Sequence, residues 1–421
     1  MKTLLDIFAD RQLRNRILFV IGILVISRFL TTIPIPQVSP DNLAAFLQNN
    51  SFFGFLNVFS GGGLSAFSIM MLGVGPYITG SIIMQLMTVL VPRLKEMYQE
   101  EGENGRRKFV QYGRLLTVPL ALLQGFALLT LLTKQNVIPS LSPVLFMSNL
   151  IIITAASVLL MWLGEQINDK GIGNGVSLII FSGIIAALPQ HIGQYLITFD
   201  PSQIPALVAM IVLVVIVVAG IVYVTEAERP IPITYAKQSR IGGGAGGVGA
   251  STYLPLRLNQ AGVVPIIFAI SILLLPQFAT QLLALSSLDT LQSLARTITA
   301  LLANQWVYGG VYFFLVVLFT YFYTAVTFDP EKTAENLQKN GAFIPGFRPG
   351  LATAEYVAGV LSRVTLVGAL FLGLVALLPI IVQGLTGITA VAVGGTSLLI
   401  AVSVILDLIK KVDAQLAMRE Y

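Results

Sequence analysis

Residues 51–92 read SFFGFLNVFSGGGLSAFSIMMLGVGPYITGSIIMQLMTVLVP, and this stretch decides the fold. It opens with a short apolar piece, Phe52 to Phe59, which is too brief to cross a bilayer. Three glycines follow at 61–63, and the uncharged run from Ala66 to Val91 is long enough to span at about 1.5 Å per residue. Because lipid cannot hydrogen-bond loose backbone, irregular chain at membrane depth must lie inside protein or a wet cavity. We therefore predict a re-entrant segment that lies within a cavity or pore and is hinged to a helix lining it.

The composition of the chain indicates a membrane protein. Of its 421 residues, 55% are hydrophobic and 11% are charged, whereas a soluble domain carries about 25% charged residues. The apolar runs are continuous, which excludes a transmembrane β-barrel, whose strands alternate apolar and polar residues. The sequence therefore predicts an all-α polytopic membrane protein.

The sequence offers no residues for enzymatic catalysis. It contains no cysteine, and its single histidine, His191, falls in a predicted external loop. The glycine run at 242–247 follows no strand and precedes no acidic residue at the spacing of a dinucleotide site, so we interpret it as a loop tip. The phosphate-loop, zinc-protease and nucleophile-elbow motifs are all missing. We expect no catalytic residue, no metal and no cofactor.

Ten apolar segments qualify as transmembrane helices, and the basic residues orient them. With the N-terminus in the cytosol, all but three of the 25 Lys and Arg fall in cytosolic segments. The exceptions are Lys134 and Arg296 in external loops and Arg28 within the first span. Residues 1–16 mix acids and bases and lead to no signal cleavage site, so they predict an amphipathic helix on the cytosolic membrane face. Both termini are expected in the cytosol. The predicted spans lie near 17–36, 66–91, 112–133, 144–163, 172–190, 204–224, 258–285, 306–328, 357–382 and 388–407.

The ten spans divide into an N-terminal half, 1–200, and a C-terminal half, 201–421. Because five is odd, the two halves must be inverted relative to each other. Interrupted spans at matching places in inverted halves point to the working site. The second span of each half has this character, with Gly73, Gly75 and Pro76 in the first half and Gly262 and Pro265 in the second.

The polar chemistry is concentrated in the cytosolic loops. The two longest, 225–257 and 329–355, carry basic residues, whereas the external connections are nearly uncharged. These charges either only set the topology or dock a large soluble partner on the cytosolic side.

A few polar residues stand in or beside otherwise apolar spans. Arg28 either reaches the membrane surface or pairs with a backbone carbonyl, and the alternative is an ion-path residue. Gln85 and Asn174 either form interhelical hydrogen bonds or belong to a polar patch that holds a gate shut. The motif GIGNG at 171–175 opens the fifth span, and we expect it to let this helix start in close contact with a neighbour.

Seven segments together resemble one family. The chain is similar to SecY, the channel subunit of the general protein translocon, over nearly its whole length. Two departures are a third glycine, Gly63, in the glycine run and an unusually glycine-rich loop at 241–250. The segments are FLNVFSGGGLSAFSIMMLGVGPYITGSIIMQL (55–86), EEGENGRRK (100–108), MWLGEQINDKGIGNGVSLIIFSGI (161–184), NQAGVVPIIFA (259–269), NLQKNGAFIPGFRPG (336–350), VTLVGAL (364–370) and VGGTSLLI (393–400).

The resemblance implies a central hourglass pore with a re-entrant plug, at about 52–65, that closes it from the external side. The plug residues carried over are Phe55, Asn57, Phe59, Ser60, Gly61, Gly62, Gly63 and Leu64. It also implies an apolar ring at the waist of the pore. The matching ring positions are Val74, Ile78, Val176, Ile180, Ile267 and Ile400.

The resemblance further implies a lateral gate between spans two and seven, at Pro76, Gln85, Pro265 and Ser271. Cytosolic partners would dock on Arg106, Arg107, Lys237, Arg240, Arg257 and Arg348. The implied partners are small SecE- and SecG-like membrane subunits, the secretion motor ATPase SecA, the ribosome with its RNA at the basic loops, signal peptides, nascent polypeptides and the lipid bilayer.

The expected function is a protein-conducting channel in a bacterial-type plasma membrane or a thylakoid membrane. It translocates unfolded secretory polypeptides and releases signal sequences and transmembrane segments sideways into lipid. One alternative is an inverted-repeat secondary transporter for a small solute, which would normally need ionisable residues at the membrane midplane. A third class, an intramembrane enzyme, lacks a nucleophile motif.

Overall fold

The chain folds into long apolar helices, and two of the polar loops that connect them together form one small sheet. A computed structural model describes residues 10–36, 57, 60–64, 66–134, 137–139, 141–197, 204–235, 252–283, 288–386 and 389–417. The helices are α1 Arg11–Leu30, α2 Gly75–Leu90, α3 Pro92–Gln99, α4 Gly102–Lys134, α5 Pro143–Lys170, α6 Gly175–Ile197, α7 Ile204–Glu226, α8 Val264–Leu283, α9 Asp289–Ala303, α10 Gln305–Thr327, α11 Pro330–Lys339, α12 Leu351–Thr386 and α13 Thr389–Ala417. The strands are β1 Glu228–Tyr235, β2 Thr252–Arg257 and β3 Ala342–Phe343.

Each predicted span overlaps a described helix, although several boundaries differ, and the polytopic helical class is confirmed. Within the described ranges, four helical segments are long and apolar enough to cross a membrane by themselves. A fifth qualifies if α2 and α3, which bend by 115° at Val91, count as one broken span. Shorter apolar helices complete the set at Gly175–Ala187, Ile211–Glu226 and Val264–Thr280.

Local sequence signals explain where several helices begin. Asp10 caps α1, because its carboxylate accepts hydrogen bonds from the Gln12 and Leu13 amides at 2.8 and 3.4 Å. Asp329 caps α11 in the same way and is followed by Pro330, whose missing N–H costs nothing in a first turn. These side chains satisfy amide groups that the first turn of a helix leaves without partners.

The prediction of a continuous span over 66–91 was wrong. Residues 66–74 form turns, and α2 begins only at Gly75. Gly73 has a positive φ of 57°, and Pro76 fits only the first turn of a helix, so the helix cannot extend backwards past them. The irregular residues are mostly buried in protein, as the lack of hydrogen-bond partners in lipid requires.

The first span also ends earlier than predicted. Helix α1 stops at Leu30 rather than at residue 36, and the chain then pairs with the segment that precedes α2. The Ile35 amide donates to the Phe67 carbonyl at 2.8 Å, and the Ile69 amide donates to the Ile33 carbonyl at 3.0 Å. This bridge fixes the end of α1 beside the break in the second span.

The structure bears on several further predictions. His191 lies in α6 and not in an external loop, because α6 continues to Ile197. The loop 225–257, predicted to be cytosolic, contains two strands that the sequence did not predict, and α9 is a helix where only a connection was expected. Most of the predicted amphipathic N-terminal helix and the glycine run at 242–247 lie outside the described residues.

The small sheet joins the two long loops that are predicted to lie on the cytosolic side. Strand β1 is central and pairs antiparallel with β2 and with β3, which comes from the loop at 329–355. Its buried side chains, Ile231 and Leu256, pack with Ile344 and with Val357 of α12. The sheet is therefore seated on the start of α12.

One apolar core joins the helices of both halves. It takes buried residues from α1, α2, α4, α5 and α6 and from α8, α10, α12 and α13. The second-span pattern repeats between the halves, because Gly73 and Gly262 both have a positive φ and each stands three residues before a proline, Pro76 and Pro265. The inverted relation of the halves 1–200 and 201–421 stays a prediction.

Candidate functional site

The six apolar residues expected at the waist come from α2, α6, α8 and α13, apart from one at the cap of α2. Five of them are at most 5% exposed and belong to the same buried core, and the sixth, Val176, packs against that core. A constriction needs buried apolar side chains from several helices, and this set meets that need. Their assignment to one ring stays a prediction. The five buried members are Val74, Ile78, Ile180, Ile267 and Ile400.

The break before α2 is held by a neighbouring helix. The Gly73 carbonyl accepts a hydrogen bond from Ser157 Oγ of α5 at 2.9 Å. Ser157 is only 1% exposed, and Val74, the next residue after Gly73, is the N-terminal cap of α2. Sequence reasoning missed Ser157, whose only signal was a hydroxyl within an apolar span.

In the segment expected to form a plug, the described residues 60–64 form a compact glycine turn. Ser60 Oγ donates to the Asn57 carbonyl at 3.0 Å and accepts from the Leu64 amide at 3.0 Å. Gly61 and Gly62 have positive φ values of 64° and 88°, which favour glycine. Ser60, Gly61, Gly63 and Leu64 are buried, whereas Phe55 and Phe59 lie outside the described residues.

Arg28, in the last turn of α1, reaches this glycine turn. Its Nη1 atom donates to the Gly61 carbonyl at 2.6 Å, so of the alternatives given for Arg28 the structure shows pairing with a backbone carbonyl. Gly183 of α6 also lies against the turn, because an added Cβ at Gly183 would collide with Gly61 Cα and come within 3.2 Å of Arg28 Nη2. The turn is therefore enclosed between α1 and α6.

The four residues expected at a lateral gate lie on two helices in direct contact, α2 and α8. Pro76 and Pro265 are buried near the starts of these helices. Ser271 is buried and donates within its own helix to the Ile267 carbonyl at 2.8 Å. Gln85 Oε1 is buried and has no hydrogen-bond partner among the described residues. The expected interhelical bond of Gln85 is thus not seen at this oxygen.

The GIGNG motif starts α6 in close contact with α5, as expected. An added Cβ at Gly175 would collide with the backbone of Gly164 in α5. Asn168 Oδ1 accepts from the Gly175 amide at 2.7 Å. Asn174 Oδ1 accepts from the Ser177 amide at 3.2 Å, so this side chain bonds to the start of its own helix.

A charged pair near the ends of two spans was not predicted. Arg114 Nε of α4 and Glu165 Oε1 of α5 are 2.6 Å apart, and the Glu165 side chain is 9% exposed. Glu165 lies within the GEQIND part of a motif already noted, but its partner is 51 residues away. The pair ties α4 to α5.

The residues expected to dock cytosolic partners are exposed where the structure describes them. Arg106 donates to the Tyr98 carbonyl at 3.3 Å, and Arg107 pairs with Glu103 at 2.6 Å. Arg257 ends β2, and Arg348 stands in the turn between β3 and α12, beside Phe347, whose ring stacks on that of Tyr356 at 4.0 Å. Lys237 and Arg240 lie outside the described residues.

Comparisons with known proteins identify relatives along the whole chain. The SecY family model matches residues 68–409. A protein translocase subunit SecY from Synechocystis is 40% identical over 434 residues, which cover 100% of this chain and 96% of that protein. The corresponding subunit from Thermus thermophilus is 42% identical over 425 residues, covering 97% of this chain and 94% of that protein.

Solved structures share the fold. The one described as "The structure of a protein conducting channel" has a TM-score of 0.65 at 19% identity and covers 94% of this chain and 91% of its own. Sec61 in the canine ribosome-channel complex has a TM-score of 0.62 at 18% identity, covering 94% and 91%.

Proposed function

The chain belongs to the SecY family, and we propose that it is a protein-conducting channel with a pore ring, a plug and a lateral gate at the residues named above. It is a channel of a protein translocase and not an enzyme. The observation that carries the function is the full-length match at about 40% identity to translocase subunits. The same relatives disfavour the alternative of a small-solute transporter.

The physical task of such a channel is to spare a polar chain the cost of crossing hydrocarbon. Each unsatisfied backbone group in lipid costs several kcal/mol. Water-filled vestibules on both sides of a thin apolar waist remove this cost except at the waist itself. Apolar side chains such as Ile78 and Ile180 bind no passing residue strongly, and they can close the empty pore by dewetting. The ring positions come from four helices and pack in or against one apolar core, which supports this proposal.

In this proposal, sideways release uses the lateral gate between α2 and α8. A signal sequence with an apolar core of about 10 residues gains roughly 0.5 kcal/mol per leucine when it enters lipid. The sum is comparable to the roughly 5.5 kcal/mol that converts a mostly closed population into a mostly open one. The direct packing of α2 on α8 supports this path, since separating these helices would open the core to lipid.

The cytosolic partners that we propose are the ribosome and the secretion motor ATPase SecA, which would dock on the exposed arginines of the two basic loops. Structural neighbours include Sec61 in a canine ribosome-channel complex. We further propose small SecE- and SecG-like membrane subunits, two inverted halves and cytosolic termini. The membrane would be a bacterial-type plasma membrane or a thylakoid membrane.

The ring and plug are tested by ion conductance. Vesicles containing the channel complex should become permeable to ions when Ile78 and Ile180 are replaced by Gly or Asn, because this change widens and wets the waist. They should also become permeable when residues 57–65 are deleted, because the deletion removes the plug. Ile185→Gly is the matched control, since Ile185 lies on the same helix as Ile180 but is 43% exposed. Conductance that stays at the wild-type level in both test variants would overturn the ring and plug assignments.

A further inference from the structure

We propose that Arg28 is a positioning residue for translocation, whose guanidinium holds the glycine turn, residues 60–64, in its closed place beside α6. The inference rests on the channel function proposed above and assigns a purpose to the single charge within the first span. It also gives Gly61 and Gly183 distinct roles, one as the hydrogen-bond acceptor and the other as the surface against which the turn is pressed.

The first argument is the hydrogen bond itself. Arg28 Nη1 donates to the Gly61 carbonyl at 2.6 Å, and the two residues are 33 positions apart in the chain. Arg28 Nε is buried and has no hydrogen-bond partner, and no Asp or Glu pairs with this arginine, within the described part of the chain. A charged donor in a low-dielectric interior makes a stronger bond than a neutral one. Arg28 therefore depends on the glycine turn for a polar partner.

The second argument is the absence of free space around Gly61. An added Cβ at Gly61 would collide with Arg28 Nη2, and an added Cβ at Gly183 would collide with Gly61 Cα. Gly61 also has a positive φ of 64°. The turn is thus held by a directional bond from Arg28 and by backbone contact with Gly183, at a position where a side chain would collide.

The consequence concerns the balance between closed and open states. If the glycine turn leaves its place, the Arg28 hydrogen bond breaks and a half-buried charge loses its partner, which is costly. This cost falls on the open state and so favours the closed one. Removing the guanidinium should raise the open fraction, and weaker signal sequences should then suffice to open the channel.

The test uses the channel complex with its membrane subunits in vesicles. Arg28→Met should raise ion conductance without substrate by about 10-fold, the factor expected for one charge-assisted hydrogen bond. It should also allow transport of a preprotein whose signal sequence has a shortened apolar core. Arg28→Lys, which keeps a charge without the fork of donors, should give a smaller rise. Gly183→Ala, whose methyl group would press on Gly61 and lie within 3.2 Å of Arg28 Nη2, should also raise conductance.

Two matched controls should leave conductance at the wild-type level. Arg16→Met removes an exposed arginine from the same helix as Arg28. Gly193→Ala adds a methyl group to α6 at a glycine where nothing lies within 4 Å of an added Cβ.

A deletion background separates positioning from general damage. In a channel that lacks residues 57–65, Arg28→Met should cause no further rise in conductance, because the partner of Arg28 is gone. A further rise of similar size would overturn the proposal. It would also be overturned if the wild type transports a normal preprotein while Arg28→Met and Gly183→Ala stay tight. A wild type that transports no preprotein would instead refute the proposed function.

Discussion

The hydroxyl of Ser157 lies where the chain breaks before α2, and it donates to the Gly73 carbonyl 2.9 Å away. This carbonyl belongs to a residue with a positive φ, immediately before a cap residue that we assign to the pore ring. Inside a protein, a carbonyl that loses its donor keeps the full cost of its desolvation. One serine of α5 therefore stabilises the backbone at the tip of α2.

Replacing this serine gives a prediction at the residue scale. Ser157→Ala should lower the free energy of unfolding by about 1–3 kcal/mol, because it leaves the Gly73 carbonyl buried without its donor. Thermal unfolding of the purified complex measures this change. Ser182→Ala is the control, since Ser182 Oγ donates at 2.8 Å to the Ile179 carbonyl of its own helix. Equal unfolding temperatures for the two variants would contradict the role of Ser157.

Single residues also mark the limit of sequence reasoning. The charge of Arg28 was visible within an apolar span, and pairing with a carbonyl was among the alternatives. Its partner, Gly61, was not visible, because local periodicity carries no information on a contact 33 residues away. The Arg114–Glu165 pair escaped for the same reason.

At the scale of elements, α6 packs against α5 through two glycines. A Cβ at Gly175 would meet the Gly164 carbonyl and Cα, so the start of α6 lies directly on the α5 backbone. The sequence predicted this contact, because glycines at the start of an apolar helix allow backbones to approach closely. The contact sets the position of Val176, one residue into α6.

A substitution at this contact should therefore be severe. Gly175→Ala should destabilise the complex by roughly 1–3 kcal/mol, the usual cost of overpacking a well-packed interior. The Gly193→Ala variant on the same helix adds the same methyl group in open space and should be nearly neutral. Denaturant or thermal unfolding compares the two, and an unchanged stability in Gly175→Ala would show that α6 can shift at no cost.

The second span shows why element boundaries are harder to predict than element types. Hydropathy reports that residues 66–91 are apolar, but it does not report backbone conformation. The positive φ at Gly73 and the proline at 76 decide where α2 begins. The same glycine-to-proline spacing occurs at the start of α8. This local signal was therefore present in both halves, and it marks the starts of the two helices of the proposed lateral gate, α2 and α8.

For the whole molecule, the two long basic loops, which we expect on the cytosolic side, form one unit. Strand β1 comes from the first loop and pairs with β3 of the second, and their apolar side chains pack on α12. The sequence predicted two separate charged loops, because strand pairing across more than 100 residues leaves no periodic trace. Arg257 and Arg348 are thus presented by the same small sheet and its adjoining turn.

Charge reversal at this surface tests partner docking. Arg348→Glu should slow motor-driven or ribosome-coupled transport roughly 10-fold. The negative glutamate would face the partner surface that complements the positive arginine, and the two would repel each other. Arg296→Glu is the matched control, since Arg296 is also exposed but lies in α9, on the predicted external side. Normal transport by both routes in Arg348→Glu would show that partners dock elsewhere.

The small sheet has a mechanical consequence. Its outer strand, β2, ends at Arg257. Only six residues separate this strand from Val264, the first residue of α8, which belongs to the proposed lateral gate. Its central strand, β1, pairs with β3 of the second loop. That loop leads into α12, the longest of the described helices. A ribosome or motor that tilts this sheet would pull on α8 and α12 together, so we expect the force of docking to reach the proposed lateral gate without first passing through the proposed pore.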